Sequence, residues 1–469
     1  MSVELLAAPH TTARPKATDS PECSNRDKQK GGCLAWCVST DSAVIARPNT
    51  GRALPSMTRK ENAVMTAHFG GHTSVHFFTG GCGDLRGFTD AGFLPRYAAN
   101  HNLQSAATAR INWPGLFVNS ADVQTIDMRR VPAAHVLVAA PICTEASPAG
   151  GKAAPRKAVE LDDNGRPKPG PDWPQTRITM WEPVRYAEVH RPMAYVGENV
   201  AQFGTSPLFK AWLTVWEALR YTPVIASVNA AHLKVDGIPP LPQSRNRVVW
   251  CFLRNDIVET NGLPDLRPTC DAMCPTCGPV EGLQRWKKNP EFPVGEYGRE
   301  RRQYYYVCPN ARCGAHVEPL TRGIGEVIDP AVRGWRFGDG YYDHFTSSRV
   351  PYAEATRNRV AIGLEKYRGK PFIVTLRNHC DASSLDEPIG TLTAQGGGHH
   401  YLVRPTADLS IDACEYRPLT NREKARAQGF PDHHVFAGEE DDQRLQVGNA
   451  VPVNVAAWLA RRVKAVLPR

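Results

Sequence analysis

Val75-His76-Phe77-Phe78-Thr79-Gly80-Gly81-Cys82-Gly83-Asp84 runs from a short apolar stretch into a glycine-rich turn. The residues after this turn read as a helix closing near Gly92. Glycines let a backbone turn tightly and approach a ligand, and a helix N-terminus offers free N–H groups. A plain strand-to-helix turn reads the same way, so the stretch matters chiefly through its surroundings. Further apolar runs lie at His135–Ala140, Ala194–Val196, Val224–Val228 and Val248–Leu253. Between them Phe209, Trp212, Val215, Trp216 and Leu219 recur at helical spacing. Strands alternating with helices predict an α/β domain with a parallel sheet and crossover helices. From Leu253 to about Val403 the chain turns to Pro, Gly, Cys and charge without clear alternation, which predicts an irregular insertion. Val455, Trp458, Leu459, Val463 and Val466 then share one face of a closing helix.

A chain of 469 residues, 42% hydrophobic and 22% charged, is long enough for two or more folding units. The formal charge of +9 suits a polyanionic partner, though many soluble proteins share it. No apolar run approaches the ~18 residues of a membrane span, and Met1 to Lys16 lacks the apolar stretch of a signal peptide. The expectation is a soluble, cytoplasmic protein. In such a setting the 13 cysteines point to metal or catalysis rather than disulfides. Residues 1–70, rich in Thr, Ser, Pro, Arg and Lys, are expected to be disordered.

Cys143, in Ala140-Pro141-Ile142-Cys143-Thr144-Glu145, directly follows a predicted strand. Ligands in open α/β sheets sit beyond the carboxyl ends of strands, where a thiol is placed to attack. A lone cysteine is otherwise an inert buried side chain. Gly197-Glu198-Asn199-Val200 puts a carboxylate at another strand end, facing the same cleft. Arg245 and Arg247, entering a strand, point to one side and suggest a bound anion or polar ligand, the alternative being a solvated strand entry.

Cys274-Pro-Thr-Cys277 and Cys308-Pro-Asn-Ala-Arg-Cys313 are two knuckle-like pairs suited to a tetrahedral, structural Zn²⁺. Cys270 is a spare ligand, and unpaired reduced thiols are the alternative. Between the pairs lie Arg285, Trp286, Lys287, Lys288, Arg299, Arg301, Arg302 and Tyr304 to Tyr306, which suit phosphate contact and base stacking, or else form a solvated loop.

In order and spacing these blocks resemble the motif series of the DNA (cytosine-5)-methyltransferases, over roughly residues 72–260 and 385–469. Arg417 to Pro431 and Val447-Gly-Asn449-Ala-Val-Pro452 carry the most specific likeness. The resemblance is to a variant of the phage or actinobacterial kind with a zinc-ribbon-like insertion. It implies a Rossmann-like domain that binds S-adenosylmethionine through Phe78, Gly80, Gly83, Asn100, Asp122 and Asn449. Asn100 stands where the family normally has an acidic residue for the ribose. Cys143 would be the nucleophile, although Ile142-Cys143-Thr144 replaces the usual Pro-Cys-Gln. Glu198, Arg247 and Arg245 would hold the target base.

The implied layout is a disordered extension at 1–70 and a catalytic domain at 71–260. A smaller target-recognition domain with the zinc ribbon at 261–405 and a C-terminal return at 406–469 complete it. Glu387-Pro-Ile-Gly-Thr391-Leu-Thr393 resembles a stretch near that domain's end, and His399-His400 beyond it suit structural or DNA-facing roles better than a metal.

The implied partner is double-stranded DNA, with a restriction endonuclease as counterpart where the enzyme forms part of a restriction-modification system. A monomer and no membrane association are expected. Two other readings stay open: a relative that methylates transfer RNA, and a non-catalytic zinc-dependent DNA-binding protein.

Overall fold

A computed structural model of the chain describes residues 71–142, 179–288, 290–298, 302–343, 346–377, 382–394 and 399–468. The expected disorder of residues 1–70 and the positions of Cys143, Arg299 and Arg301 lie outside these residues.

Seven strands form the main sheet: β1 (Thr73–Phe77), β2 (Leu94–Ala99), β3 (Phe117–Asn119), β4 (Val136–Ala139), β5 (Ala194–Asn199), β6 (Tyr221–Asn229) and β7 (Asn246–Arg254). Their order is β3-β2-β1-β4-β5-β7-β6. The first five run parallel. β7 corrects the expectation of a wholly parallel sheet, for it is antiparallel to both β5 and β6. The reason is local: no helix separates β6 from β7, and without a crossover a strand returns antiparallel.

Helices α1 (Gly83–Asp90), α2 (Leu103–Asn112), α3 (Glu182–His190), α4 (Ala201–Gly204), α5 (Pro207–Ala218) and α6 (Asn255–Asn261) accompany these strands. A sheet covered on both faces has continuously apolar strands, and every residue of β4 is buried accordingly. One face packs Phe77, Tyr195, Trp212, Trp216, Trp250 and Phe252. Another cluster joins Val136, Val196, Val228 and Val249 to Trp458 and Leu459 near the C-terminus.

The stretch expected to be irregular contains regular antiparallel structure. β8 (Thr269–Cys274), β9 (Gly278–Trp286), β10 (Tyr304–Val307) and β11 (His316–Pro319) close into a small barrel. β12 (Trp335–Arg336) comes next, followed by the hairpin of β13 (Tyr341–Asp343) and β14 (Ser348–Val350) and by α7 (Glu354–Tyr367). β15 (Phe372–Thr375), β16 (Ala382–Ser384), β17 (His400–Arg404) and β18 (Glu415–Pro418) join β12 in a sheet of order β12-β18-β17-β15-β16. The chain returns through α8 (Asn421–Ala427), α9 (Glu440–Asn449) and α10 (Val453–Lys464). A Thr420–Glu423 capping box starts α8. Among the described residues no helix is long and apolar enough to cross a membrane.

Candidate active site

Strand ends of the main sheet open onto a cleft of about 660 Å³. After β1 the backbone turns through three left-handed residues, Phe78 (φ 60°), Gly80 (φ 49°) and Cys82 (φ 68°), the first two of which line the cleft. A Cβ on Gly80 would meet nothing closer than 3.9 Å, so the turn leaves open space beside its backbone.

Gly81 and Gly83 answer to a different demand. Their absent side chains make room for the C-terminal return: a Cβ on Gly83 would lie 1.9 Å from the Val451 carbonyl oxygen, and one on Gly81 2.7 Å from that of Gln446. Gly83 accordingly does not line the cleft. The first glycine-rich motif and the last sequence block are thus one packed unit, reinforced by the hydrogen bond from Thr108 Oγ1 to Gln446 Oε1 (2.6 Å).

Glu198, near the end of β5, and Arg247, near the start of β7, meet at 2.7 Å (Nε to Oε1), and both line the cleft. Arg247 also donates from Nη1 to the carbonyl of Asn246 (2.7 Å). Asn246 Oδ1 in turn accepts from Asn229 Nδ2 (2.9 Å), which ties both ends of the β6–β7 connection together. Gly197 precedes Glu198 because no side chain fits there: a Cβ would lie 2.5 Å from both the Ala139 carbonyl and the Trp250 ring.

Arg245 also lines the cleft, but its guanidinium donates to the carbonyls of Leu392 (2.7 Å), Gly448 (2.9 Å) and Ala450 (3.2 Å). It fastens the β7 entry to two distant segments. Cys143 lies outside the described residues, but the residue before it, Ile142, lines the cleft. Ile142 N–H donates to Thr179 Oγ1 (3.0 Å), and Asn199 Nδ2 donates to the Pro141 carbonyl (2.9 Å).

The remaining predicted cofactor residues divide. Asn100, at the end of β2, lines the cleft, and its Oδ1 accepts the Asn102 N–H (2.9 Å). Asn449, ending α9, also lines it. Asp122 does not: it is exposed and caps a short 3₁₀ turn by accepting from Gln124 N–H (3.0 Å). Sequence reasoning missed Asn246 and Glu296 in the cleft wall and named Arg302 only among basic residues suited to phosphate contact. Glu296 and Arg302 come from the long β9–β10 connection, whose charge had suggested only a general basic surface.

Cys274, Cys277, Cys308 and Cys313 converge at the ends of the β8–β9 and β10–β11 hairpins, their sulfurs within 4.8 Å of one another. The Cys274 and Cys313 sulfurs are 3.7 Å apart. Tetrahedral Zn–S bonds of about 2.3 Å imply S···S separations of about 3.8 Å, so the donor set fits such an ion. N–H groups of Cys277 and Thr276 draw the Cys274 thiol down to about 7, while its companions Cys308 and Cys313 push Cys277 up to about 12. Cys270 stays outside this set, buried beneath Gly282.

The three tyrosines expected to stack on bases do not form such a platform. Tyr304 and Tyr306 are fully buried in the barrel core, and Tyr305 stacks on His316 (5.5 Å). A barrel this small draws on its aromatic side chains for a core. His400 is likewise buried, with Nδ1 3.0 Å from Thr375 Oγ1.

Residues 321–465 match the family model described as C-5 cytosine-specific DNA methylase. Type II methyltransferase M.Bpa9945I of Bacillus paralicheniformis is 47% identical over 68 residues, 14% of this chain and 14% of that protein. Type II methyltransferase M.AplI of Arthrospira platensis is 35% identical over 134 residues, 28% of this chain and 36% of its own. DNA (cytosine-5)-methyltransferase 2 of Arabidopsis thaliana is 34% identical over 108 residues, 22% of this chain and 7% of the plant protein. The chain therefore matches well under half the length of each of these relatives. A crystal structure of a Spodoptera frugiperda DNMT2 mutant superposes with a TM-score of 0.49 at 11% identity, over 84% of this chain and 99% of that one. In these segments the chain is similar to C-5 cytosine DNA methyltransferases.

Proposed function

We propose that the protein methylates C5 of cytosine in double-stranded DNA. The observation that carries this reading is one cleft lined by Glu198 and Arg247, by Phe78, Gly80, Asn100 and Asn449, and by Ile142, the neighbour of Cys143. The open space beside Gly80 fits S-adenosylmethionine, which when bound supplies an electrophilic methyl group. Phe78, Gly80, Asn100 and Asn449 would hold it. Gly83 and Asp122 then act indirectly, Gly83 by admitting the Val451 backbone behind the loop and Asp122 by capping a turn.

Cytosine C5 is a weak nucleophile. Addition of the Cys143 thiolate to C6 moves the ring's electron pair toward C5, dividing one hard step into two. Glu198 hydrogen-bonds the N3 edge and the exocyclic amine as charge develops there. Arg247 holds Glu198 in place and reaches the base through its remaining N–H groups. Arg245 serves as a positioning residue, since its donors brace the backbone around the pocket. Once C5 carries the methyl group, loss of its proton returns electrons to the ring, and the C6–S bond breaks to free Cys143. The target base must leave the duplex to enter such a cleft, at roughly a few kcal/mol.

On this reading residues 71–260 and 406–469 form the catalytic domain and 261–405 the target-recognition domain. The four-cysteine barrel holds a structural Zn²⁺. The enzyme works as a cytoplasmic monomer, and the type II names of its relatives suit a restriction endonuclease as its counterpart.

Duplex DNA carrying 5-fluorocytosine tests the proposal, because fluorine at C5 blocks the last elimination. A covalent complex dependent on S-adenosylmethionine is expected with the native protein and lost in Cys143→Ala. Methyl incorporation into transfer RNA but not duplex DNA would overturn it.

A further inference from the structure

The cysteine barrel does more than sit beside the catalytic cleft. Its β9–β10 connection runs back along the main sheet. Ser227 of edge strand β6 donates from Oγ to the Pro293 carbonyl (2.8 Å) and accepts the Gly295 N–H (2.9 Å). Tyr297 N–H donates to Asn246 Oδ1 (3.3 Å), the residue whose carbonyl holds Arg247. Glu296 Oε1 accepts from Gln202 Nε2 (3.2 Å), just past Glu198 in sequence. Arg302 pairs with Glu296 at 2.6 Å, and both line the catalytic cleft.

We propose that Arg302, oriented by Glu296, is a substrate-positioning residue that contacts the backbone phosphate of the nucleotide drawn into the cleft. The inference rests on the methyltransferase reading and adds the barrel as one wall of the active site. Three features argue for it. The guanidinium is more than half exposed while its carboxylate partner is largely buried, so the pair presents its cation outward. A guanidinium has five N–H donors, and one carboxylate contact leaves capacity for a second anion.

The pair also stands at the substrate side of the cleft. Its anchors, Gln202 and Asn246, adjoin β5 and β7, whereas Phe78 and Gly80 follow β1. Two strands, β4 and β5, separate β1 from β7 in the sheet. At about 4.8 Å per step this is roughly 14 Å, which directs Arg302 to a nucleotide phosphate rather than to the carboxylate of the methyl donor.

The test compares native protein, Arg302→Ala, Arg302→Lys and Glu296→Gln. Turnover on unmethylated plasmid DNA and equilibrium binding to a cytosine-containing single-stranded oligonucleotide are each measured across a salt series. For Arg302→Ala we expect KM for DNA to rise about tenfold with kcat little changed. The slope of log affinity against log salt should fall by about 0.7–0.9, the value of one lost phosphate contact. Arg302→Lys should restore most of the slope, and Glu296→Gln should raise KM with the slope retained. S-adenosylmethionine affinity should match native protein in all three variants, which also reports a folded cleft.

An unchanged KM and salt slope in Arg302→Ala would overturn the proposal. So would a selective loss of S-adenosylmethionine affinity, which would place Arg302 on the other ligand. If native protein methylates no DNA, the catalytic reading fails while the oligonucleotide arm still decides for or against the Arg302 contact.

Discussion

Between Thr73 and Arg254 the chain lays seven strands side by side, and runs such as Val136–Ala139 are buried to the last side chain. Between Thr269 and Pro319 four strands close instead on Cys270, Ala272, Cys274, Tyr304, Tyr306 and Cys308. The first region is large enough to be held by aliphatic and aromatic burial alone. The second lies near the size at which a domain usually needs a metal or another staple. The two regions meet at one cleft, because the barrel's long connection supplies Glu296 and Arg302 to the wall built by the sheet. The cleft therefore has one wall whose stability is governed by different physics from the other.

Metal removal should separate the two regions most sharply. Structural zinc in small cysteine modules contributes apparent free energies of about 10–16 kcal/mol. Chelation under denaturing conditions, followed by refolding without metal, is expected to leave the segment from Thr269 to Pro319 open to limited proteolysis. The seven-stranded sheet should keep its circular dichroism and its near-native thermal transition. A protease-resistant barrel containing no bound metal would show that its protein core suffices alone.

A smaller effect is expected from Gly83→Ala, which tests the sheet side. The added methyl would lie 1.9 Å from a backbone oxygen that cannot rotate away. Overpacking of this kind costs about 1–3 kcal/mol. The urea midpoint should fall by a matching amount, and S-adenosylmethionine affinity should fall with it as Val451 is displaced. A variant with native stability would mean that the C-terminal return is not packed as described.

The mildest perturbation is pH. Burial lowers His232 and His400 to about 3 and His434 to about 4. These groups stay neutral in the folded chain but take up protons near 6.5 when unfolded. Unfolded chains thus bind more protons in this window, so stability is greatest above 6.5 and declines as pH falls toward 4. Each histidine contributes up to about 1.4 kcal/mol per pH unit. His232 touches Tyr297 and Tyr306 of the barrel region, whereas His434 packs on Phe430 and Phe436 of the C-terminal return. Replacing His232 by Phe should flatten the pH profile of barrel opening, measured by hydrogen exchange, more than that of the sheet.

Much of the seven-stranded half was legible because parallel strands buried on both faces must be apolar runs, and because groups at their carboxyl ends face one opening. Glu198 and Arg247 were readable for that reason. The role of Arg245 was not, because its acceptors, the carbonyls of Leu392, Gly448 and Ala450, carry no side-chain signature. Gly83 looked like a ligand-binding glycine, although the approach that requires it comes from Val451. The antiparallel strands β8 to β11 escaped notice because short strands facing a core rich in cysteine and tyrosine lack an alternating aliphatic pattern. Tyr304 and Tyr306 consequently looked available for stacking.

By itself the sequence determined which local elements form in the seven-stranded half and which chemical groups stand at their ends, since hydrophobic periodicity and strand-end position are local properties. Tertiary structure alone decided which groups share the cleft, that β7 runs backward, and that a loop from the cysteine barrel completes the wall. Those outcomes depend on contacts between residues far apart in the chain, and distance along a sequence carries no direct measure of distance in space.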